Sequence, residues 1–446
     1  MIRRKEMSGM ALSVLTALAL PLAAQGQDLV QEDVFRRGVE FGVGARAMGM
    51  GGAFMAVGDD YTASYWNPAA LAQIRRFEVL ASLSHARQEN DAAGVGLRLK
   101  DDASFTRVNS IGFAYPVATY RGSLVFSLGY NRLKPYDSNF NFEYFNDTVG
   151  DSVQQRWSEL EEGSLNNWTF AGAVDVAPNF SVGLALNYWT GKDDYQFSFF
   201  EQDHLDKYTF RNFSRDDNII SEFRGFNVKL GGLYRVNSML RLAATIASPT
   251  TLKITDNFTS DDKTRFDDGS QETFSEEGSF EYNIRSPFVF GAGASLNVAG
   301  LLVAGSAEFI DWSQIRYTNE PPIEGLTKNE ANRQLARNYR SVTRLRAGAE
   351  LTLPGLGIQV RTGYYLDPSP LAKLPNGADL PDDANREFIT FGVGFLLNKQ
   401  VKLDVAYFTG EFKLYNPALS DFSDDLIDID EKVSVNKVAA TLAFRL

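Results

Sequence analysis

The chain has 446 residues and no cysteine. That excludes disulfides, thiolate metal sites and cysteine nucleophiles. Histidine is almost missing: His85 falls at the end of a predicted strand, and His204 in a loop beside Asp203 and Asp206. A barrel hydrolase needs a Ser–His pair on the outer face, and the serines near His85 do not exceed chance. No glycine loop of phosphate-binding form and no metal-ligand spacing occurs. The run Gly49-x-Gly51-Gly52 lacks the βαβ context of a dinucleotide site. The sequence therefore reads as a non-enzyme with no cofactor and no metal. Past residue 26 no window approaches 18 consecutive apolar residues, so no membrane-spanning helix is expected in the mature chain. Positive charge is short as well, 44 Lys and Arg against 56 Asp and Glu, a net −12. That balance argues against a nucleic-acid partner.

What is present begins with a basic trio, Arg3, Arg4 and Lys5, then an apolar run from Met10 to Ala24 and the small-residue site Ala24-Gln25-Gly26. This predicts a signal peptide over residues 1–26, too short and too closely followed by small residues to be an anchor. Those residues carry +2 (three bases against Glu6), which leaves the mature chain at −14. The acids cluster as Asp216-Asp217, Asp261-Asp262, Asp267-Asp268 and Asp424-Asp425, the pattern of solvated loops. An exported, acidic, cysteine-free chain with 13% aromatics suits an outer-membrane barrel.

From Phe77 onward the pattern has period two, and about fourteen alternating segments follow, each long enough to cross a bilayer when tilted. Short connections (177–179, 236–239, 297–300, 353–356, 398–400) alternate with long ones (88–103, 137–164, 200–218, 255–279, 316–338, 367–386, 415–431). Tight periplasmic turns and long external loops have this asymmetry. Within one segment Leu345, Ala347, Ala349 and Leu351 alternate with Arg344, Arg346, Gly348 and Glu350. The apolar set should face lipid, where Arg or Lys at the midplane costs roughly 2–4 kcal/mol. Closure of the sheet then satisfies every backbone group. The aromatics Tyr115, Tyr130, Trp189, Tyr234, Trp312 and Tyr317 are candidates for interfacial girdles.

One stretch breaks this pattern. Residues 41–71 are rich in glycine and other small residues, carry Asp59-Asp60 and close on Asn67-Pro68-Ala69. Glycine allows close backbone approach and positive φ, as a segment packed inside a barrel needs. The predicted organisation is all-β: a signal peptide (1–26), an N-terminal plug or hatch (27–75) and a 14-stranded antiparallel transmembrane β-barrel (76–446). Asp59 and Asp60 are expected to pair with lumenal bases such as Arg241, Arg344, Arg346 and Arg361. Asn67-Pro68 is expected to end the plug and start the first strand.

The stretch from Gly44 to Ala53, with Asp59-Asp60 and Asn67-Pro68-Ala69, resembles the FadL/TodX family of outer-membrane transporters. Further echoes are Ser286-Pro287, Asp311-Trp312-Ser313 and Asp367-Pro368-Ser369-Pro370. A related group, the PorV-like secretion shuttles, shares the Met-Gly-Gly-Ala and Trp-Asn-Pro-Ala elements. The family resemblance implies a bacterial outer-membrane barrel with a lumenal hatch. Its ligands would be hydrophobic small molecules, long-chain fatty acids or aromatic hydrocarbons. They would be caught by outer loops and released sideways into outer-membrane lipid. The PorV-like alternative implies a binding partner in protein secretion or assembly.

Candidate residues follow from these readings. Capture falls to Phe140, Phe142, Tyr144, Phe145, Trp157, Phe199, Phe200, Tyr208, Phe210 and Phe213, aromatics in otherwise polar connections. Hatch or gating roles fall to Gly51, Gly52, Asp59, Asp60, Asn67, Pro68 and Ala69. A lateral opening is assigned to Gly129 and Pro135, which interrupt a sheet ladder most easily.

Overall fold

A computed structural model describes residues 39–94, 97–146, 152–322, 325–373, 379–415 and 430–446. The expected signal peptide lies outside the described residues. Strand propensity dominates the rest. The barrel strands are β1 (Glu78–Gly94), β2 (Leu97–Val117), β3 (Leu124–Pro135, resumed at Ser138–Asn146), β4 (Val153–Ala177) and β5 (Phe180–Gln202). Then come β6 (Phe210–Arg235), β7 (Leu240–Ala247, resumed at Thr251–Phe266), β8 (Gln271–Arg285, resumed at Val289–Val298) and β9 (Leu301–Asp311, resumed at Arg316–Tyr317). The wall ends with β10 (Ser341–Leu353), β11 (Ile358–Asp367), β12 (Arg386–Leu396), β13 (Val401–Tyr415) and β14 (Asp430–Arg445). Each strand pairs antiparallel with the next, and β14 pairs with β1 from Glu78↔Arg445 to Ala93↔Asp430. The result is a closed, 14-stranded antiparallel barrel, as the alternation predicts. No described helix is long and apolar enough to cross a membrane.

Strand faces sort by polarity. In β10 Leu345 and Leu351 are exposed on the outside, while Arg344, Arg346 and Glu350 are buried within. Closure leaves no open edge along most of the wall, so a bilayer meets almost no unpaired backbone there. Among the predicted girdle aromatics, Tyr115 and Tyr234 do face outward. Trp312 and Tyr317 do not: a 3₁₀ turn at Trp312–Gln314 interrupts β9 and turns both into the interior. Trp189 packs against the same interior cluster. Trp168 and Tyr188 take the outward positions instead.

The wall has very uneven height. β6 has 26 residues and β11 has 10. At about 3.3 Å per residue the tall side rises roughly 50 Å further along the strands. Several predicted loops are thus strand. Residues 257–265 and 271–279 form a ladder from Asn257↔Ser279 to Arg265↔Gln271, and residues 153–161 pair with 138–146. These polar stretches conceal their period because neither face is lipid-covered above the bilayer.

One ladder stops early. β2 and β3 pair only from Val117↔Leu124 to Ser110↔Asn131. Beyond that level β2 pairs only with β1, and the rest of β3 only with β4. A register shift between Arg132 and Lys134 carries β3 away. The two facing edges are bridged by side chains. Arg107 Nη2 donates to Asp137 (2.9 Å) and Glu162 (2.8 Å), and Asn141 N–H donates to Asp101 (2.8 Å).

Candidate functional site in the barrel lumen

The residues from Val39 to Ile74 precede β1 and are almost all buried. They form short helices α1 (Ala45–Gly49) and α2 (Ala63–Trp66) and a 3₁₀ turn, Pro68–Gln73. Their contacts run right round the inner wall. A Cβ on Gly363 would lie 2.2 Å from Gly51 N, one on Gly183 2.3 Å from Pro68 C, and one on Gly129 1.8 Å from Tyr61 Oη. Glycines of the wall thus admit the backbone of this segment at Gly363 and Gly183 and the Tyr61 ring at Gly129, and Gly51 and Gly52 take positive φ (64° and 76°).

Polar contacts pin the segment. Asn67 Nδ2 donates to Met55 O and Gly232 O (both 3.1 Å), while its Oδ1 accepts from Ala69 N–H (3.1 Å) and caps the 3₁₀ turn. Pro68 opens that turn, with φ pre-set for it. Gly51 N–H donates to Thr390 Oγ1 at 3.0 Å, and Tyr61 N–H to Glu78 Oε1 at 2.7 Å.

Asp59 and Asp60 do not take the ion pairs expected with Arg344, Arg346 and Arg361. Arg46 of the segment meets the wall acid Glu350 instead, while the segment acid that Arg344 reaches is Glu40. Arg46 donates twice to Glu350 (2.8 and 2.9 Å) and also pairs with Asp59. Glu350 is held from its other side by Arg361 (2.6 Å), which in turn reaches Asp404 (2.8 Å). Arg344 goes to Glu40 (3.1 Å) and Asp367 (2.7 Å), and Arg346 to Glu308. Asp60 accepts from Thr62 N–H (2.9 Å) and Oγ1 (2.5 Å), a local turn. A sequence gives no reason to choose Arg46, because it sits in a small-residue run and its partner is 304 positions away.

Above the segment an amide belt crosses the inner wall. Asn131 donates to Asn167 (3.1 Å), Asn187 to Asn227 (2.9 Å) and Asn227 to Thr250 (2.8 Å), on β3 through β7. Beyond it lies an apolar cluster that includes Tyr136, Phe223, Ile254, Tyr282, Trp312 and Tyr317. Breaks in β7, β8 and β9 at Ser248–Thr250, Ser286–Phe288 and Trp312–Ile315 border it. A helix, α3 (Lys328–Asn338), closes over the cluster with Ala331 and Leu335. Thr327 and Glu330 form a capping box at its start, and hydrogen bonds from Thr327 hold the exposed Glu330 carboxyl below its usual range.

The predicted capture aromatics stand on the tall part of the wall. Trp157 packs edge-on against Phe197 (5.4 Å) and Phe199 (5.1 Å), and Phe199 lies 6.2 Å from Phe213. Tyr208 stacks on Phe210 at 5.5 Å, and Arg156 lies over Phe200 at 5.9 Å. Phe140 shares the face of Glu159, Tyr144 donates to Gln155 (2.5 Å), and Phe145 is exposed on the other side. The side chain of Phe142 lies outside what is described. Phe197 belongs to the group but is absent from the sequence-based set, because only pairing across strands reveals it. Gly129 is paired on both sides, with Gly112 and Thr169, whereas Pro135 stands where the β2–β3 ladder has already ended. His85 faces outward, its Nδ1 2.9 Å from Thr106 Oγ1.

Residues 40–440 match the family described as "Outer membrane protein transport protein (OMPP1/FadL/TodX)". No curated protein sequence matches the chain. Among solved structures, the P. putida toluene transporter TodX is 12% identical, with 92% of this chain and 99% of that one covered at a TM-score of 0.63. A Pseudomonas aeruginosa FadL homologue is 13% identical (91% and 99% covered, TM-score 0.60). The Ralstonia pickettii toluene transporter TbuX is 15% identical (91% and 99%, TM-score 0.52). Identities this low speak for the fold, while the family match spans nearly the whole chain. With a closed fourteen-stranded wall and that match, this chain belongs to the OMPP1/FadL/TodX family of outer-membrane transport proteins.

Proposed function

We propose that the chain passes hydrophobic small molecules through the outer membrane by passive diffusion and releases them sideways through the wall. The segment 27–75 acts as a hatch that blocks straight passage, and residues 76–446 are the conduit. Capture begins on the aromatic inner face around Trp157 and Phe199. The apolar cluster under α3 is the holding site.

The observation that carries this reading is the end of the β2–β3 ladder at Ser110↔Asn131. A barrel gains backbone hydrogen bonds by continuing that ladder, and each group left unpaired in lipid is costly. Facing edges joined by Arg107, Asp137 and Glu162 are held by contacts that can part without tearing a sheet. Two relatives of this fold carry toluene by their names, and aromatic hydrocarbons are accordingly the favoured cargo. The secretion-partner reading gains nothing from the family or from the described contacts.

The test uses the absence of native cysteine. Cysteines introduced as Arg107→Cys and Asp137→Cys are joined by a short bifunctional thiol reagent in cells that depend on the chain for uptake of a labelled monoaromatic hydrocarbon. Uptake should stop on crosslinking. Undiminished uptake with the crosslink in place would sink lateral release.

A further inference from the structure

The outer face of the wall repeats one pattern from strand to strand. Read toward the tall rim, β5 presents Tyr188, Lys192 and Asp194 on its outward side. On β6 the order is Phe226, Arg224 and Glu222, and on β8 it is Phe288, Arg285 and Glu281. The alternate residues Phe223, Leu252, Ile254 and Ile284 are buried, which turns the charged side chains away from the lumen. Each strand thus ends its exposed apolar row on an aromatic ring, then a base, then an acid. Rings of this kind sit at headgroup level in a bilayer. A long base one or two outward positions further on reaches the level of lipid phosphates with its stem along apolar surface.

The bases also stand opposite one another. Arg224 is directly across from Lys253, and Arg285 directly across from Arg316. Like charges in that position destabilise a sheet. Acids relieve it only in part: Glu222 lies 3.4 Å from Arg224, and Glu281 takes Lys253 at 2.8 Å. Among the described residues neither Arg285 nor Arg316 has an acidic partner. The side chains of Lys192, Arg224 and Lys253 are each more than half exposed. Across the barrel the pattern is reversed: Glu387 on β12 lies beyond the exposed Ile389, and Glu411 on β13, directly opposite it, lies beyond Tyr407.

Two like-charged pairs at the upper border of an apolar face call for an anion held at that border. A phosphate carried on acyl chains is delivered there, because the chains cover the exposed wall below while the head meets the bases. Guanidinium forks match phosphate oxygens two at a time. We propose that the outer face of β5 to β9 binds the phosphate groups of an outer-leaflet lipid, and so fixes a lipid against the tall side of the barrel. The inference is independent of the transport reading.

The test mixes the detergent-purified full chain with diphosphoryl lipid A or with lipid A stripped of its phosphates, and measures bound lipid by native mass spectrometry. The diphosphoryl form should bind and the stripped form should not. Arg224→Gln with Lys253→Gln, and Arg285→Gln with Arg316→Gln, should each weaken binding about tenfold. Arg87→Gln with Lys432→Gln removes the same charge from exposed bases on β1 and β14 and should leave binding unchanged. Folding of every variant is read from its faster migration on unheated detergent gels. Full binding by both folded β6–β9 variants overturns the proposal. So does an equal loss in the control pair, which would mean bulk charge attraction. Displacement of the lipid by millimolar inorganic phosphate would make this a free-anion site and overturn the lipid assignment.

Discussion

At the scale of single residues, the lumen is held by contacts that join distant parts of the chain. Arg46 is the centre, with Glu350 and Asp59 on it and Arg361 behind Glu350. Arg46→Met should lower thermal stability by about 2–3 kcal/mol. That is less than the 3–5 expected for an orphaned buried charge, because Glu350 keeps Arg361. The same variant should raise open-channel current in planar bilayers; an unchanged current means Arg46 does not latch the segment. Asp60→Asn should change neither, since an amide oxygen still accepts from Thr62. Gly363→Ala drives a methyl into the backbone at Gly51 and should loosen the segment, whereas Gly305→Ala, whose methyl would come no nearer than 3.7 Å to Arg346 O, should be silent. The sequence made part of this legible. Asn67, Pro68 and the glycines carry their roles in their own conformational preferences. The partner of Arg46 does not, because nothing local distinguishes Glu350 from any other inward acid.

At the scale of elements, fourteen strands were legible because lipid imposes a strict alternation on every crossing. The strand tops were not, since above the bilayer water meets both faces and polar residues serve equally well on either. The kinks escaped for another reason. Ser286-Pro287 and Asp311-Trp312-Ser313 stand out in the sequence only as family echoes, and that they border one apolar cluster depends on register. The helix α3 offers a clean prediction at this scale. Leu335→Asp places a carboxylate in the cluster it closes, and should raise hydrogen exchange through residues 328–338 while leaving the strand amides protected. Equal protection in that helix would show that Leu335 does not hold it down. The capping box adds a pH dependence. Glu330 has a lowered carboxyl pKa, so its contribution to the helix is complete above the ordinary glutamate range. It is lost as pH falls through the lowered value, and the protection factors of α3, taken against the intrinsic exchange rate at each pH, should fall in acid.

At the scale of the whole molecule, the barrel wall closes through its own backbone pairs, and the segment before β1 adds none of them. A chain lacking residues 39–74 should therefore still fold, migrate as a compact species on unheated gels and conduct ions freely in planar bilayers. Failure to reach the compact form would make the segment a folding element and not a stopper. The overall architecture was the most legible level of all, since alternating loop length and period-two patterning suffice for it. The early end of the β2–β3 ladder was the least, because it consists of hydrogen bonds that are not made. The uneven wall has one more consequence. On the transport reading proposed above, a collar tens of ångströms taller on one side is a sampling device with a direction: it would raise an aromatic-lined scoop away from the bilayer into open water, where a sparingly soluble molecule is still mobile. Catching it there would turn a search through three dimensions into a slide along one wall, and the tall side, from β4 to β8, would set the side from which the cargo is drawn.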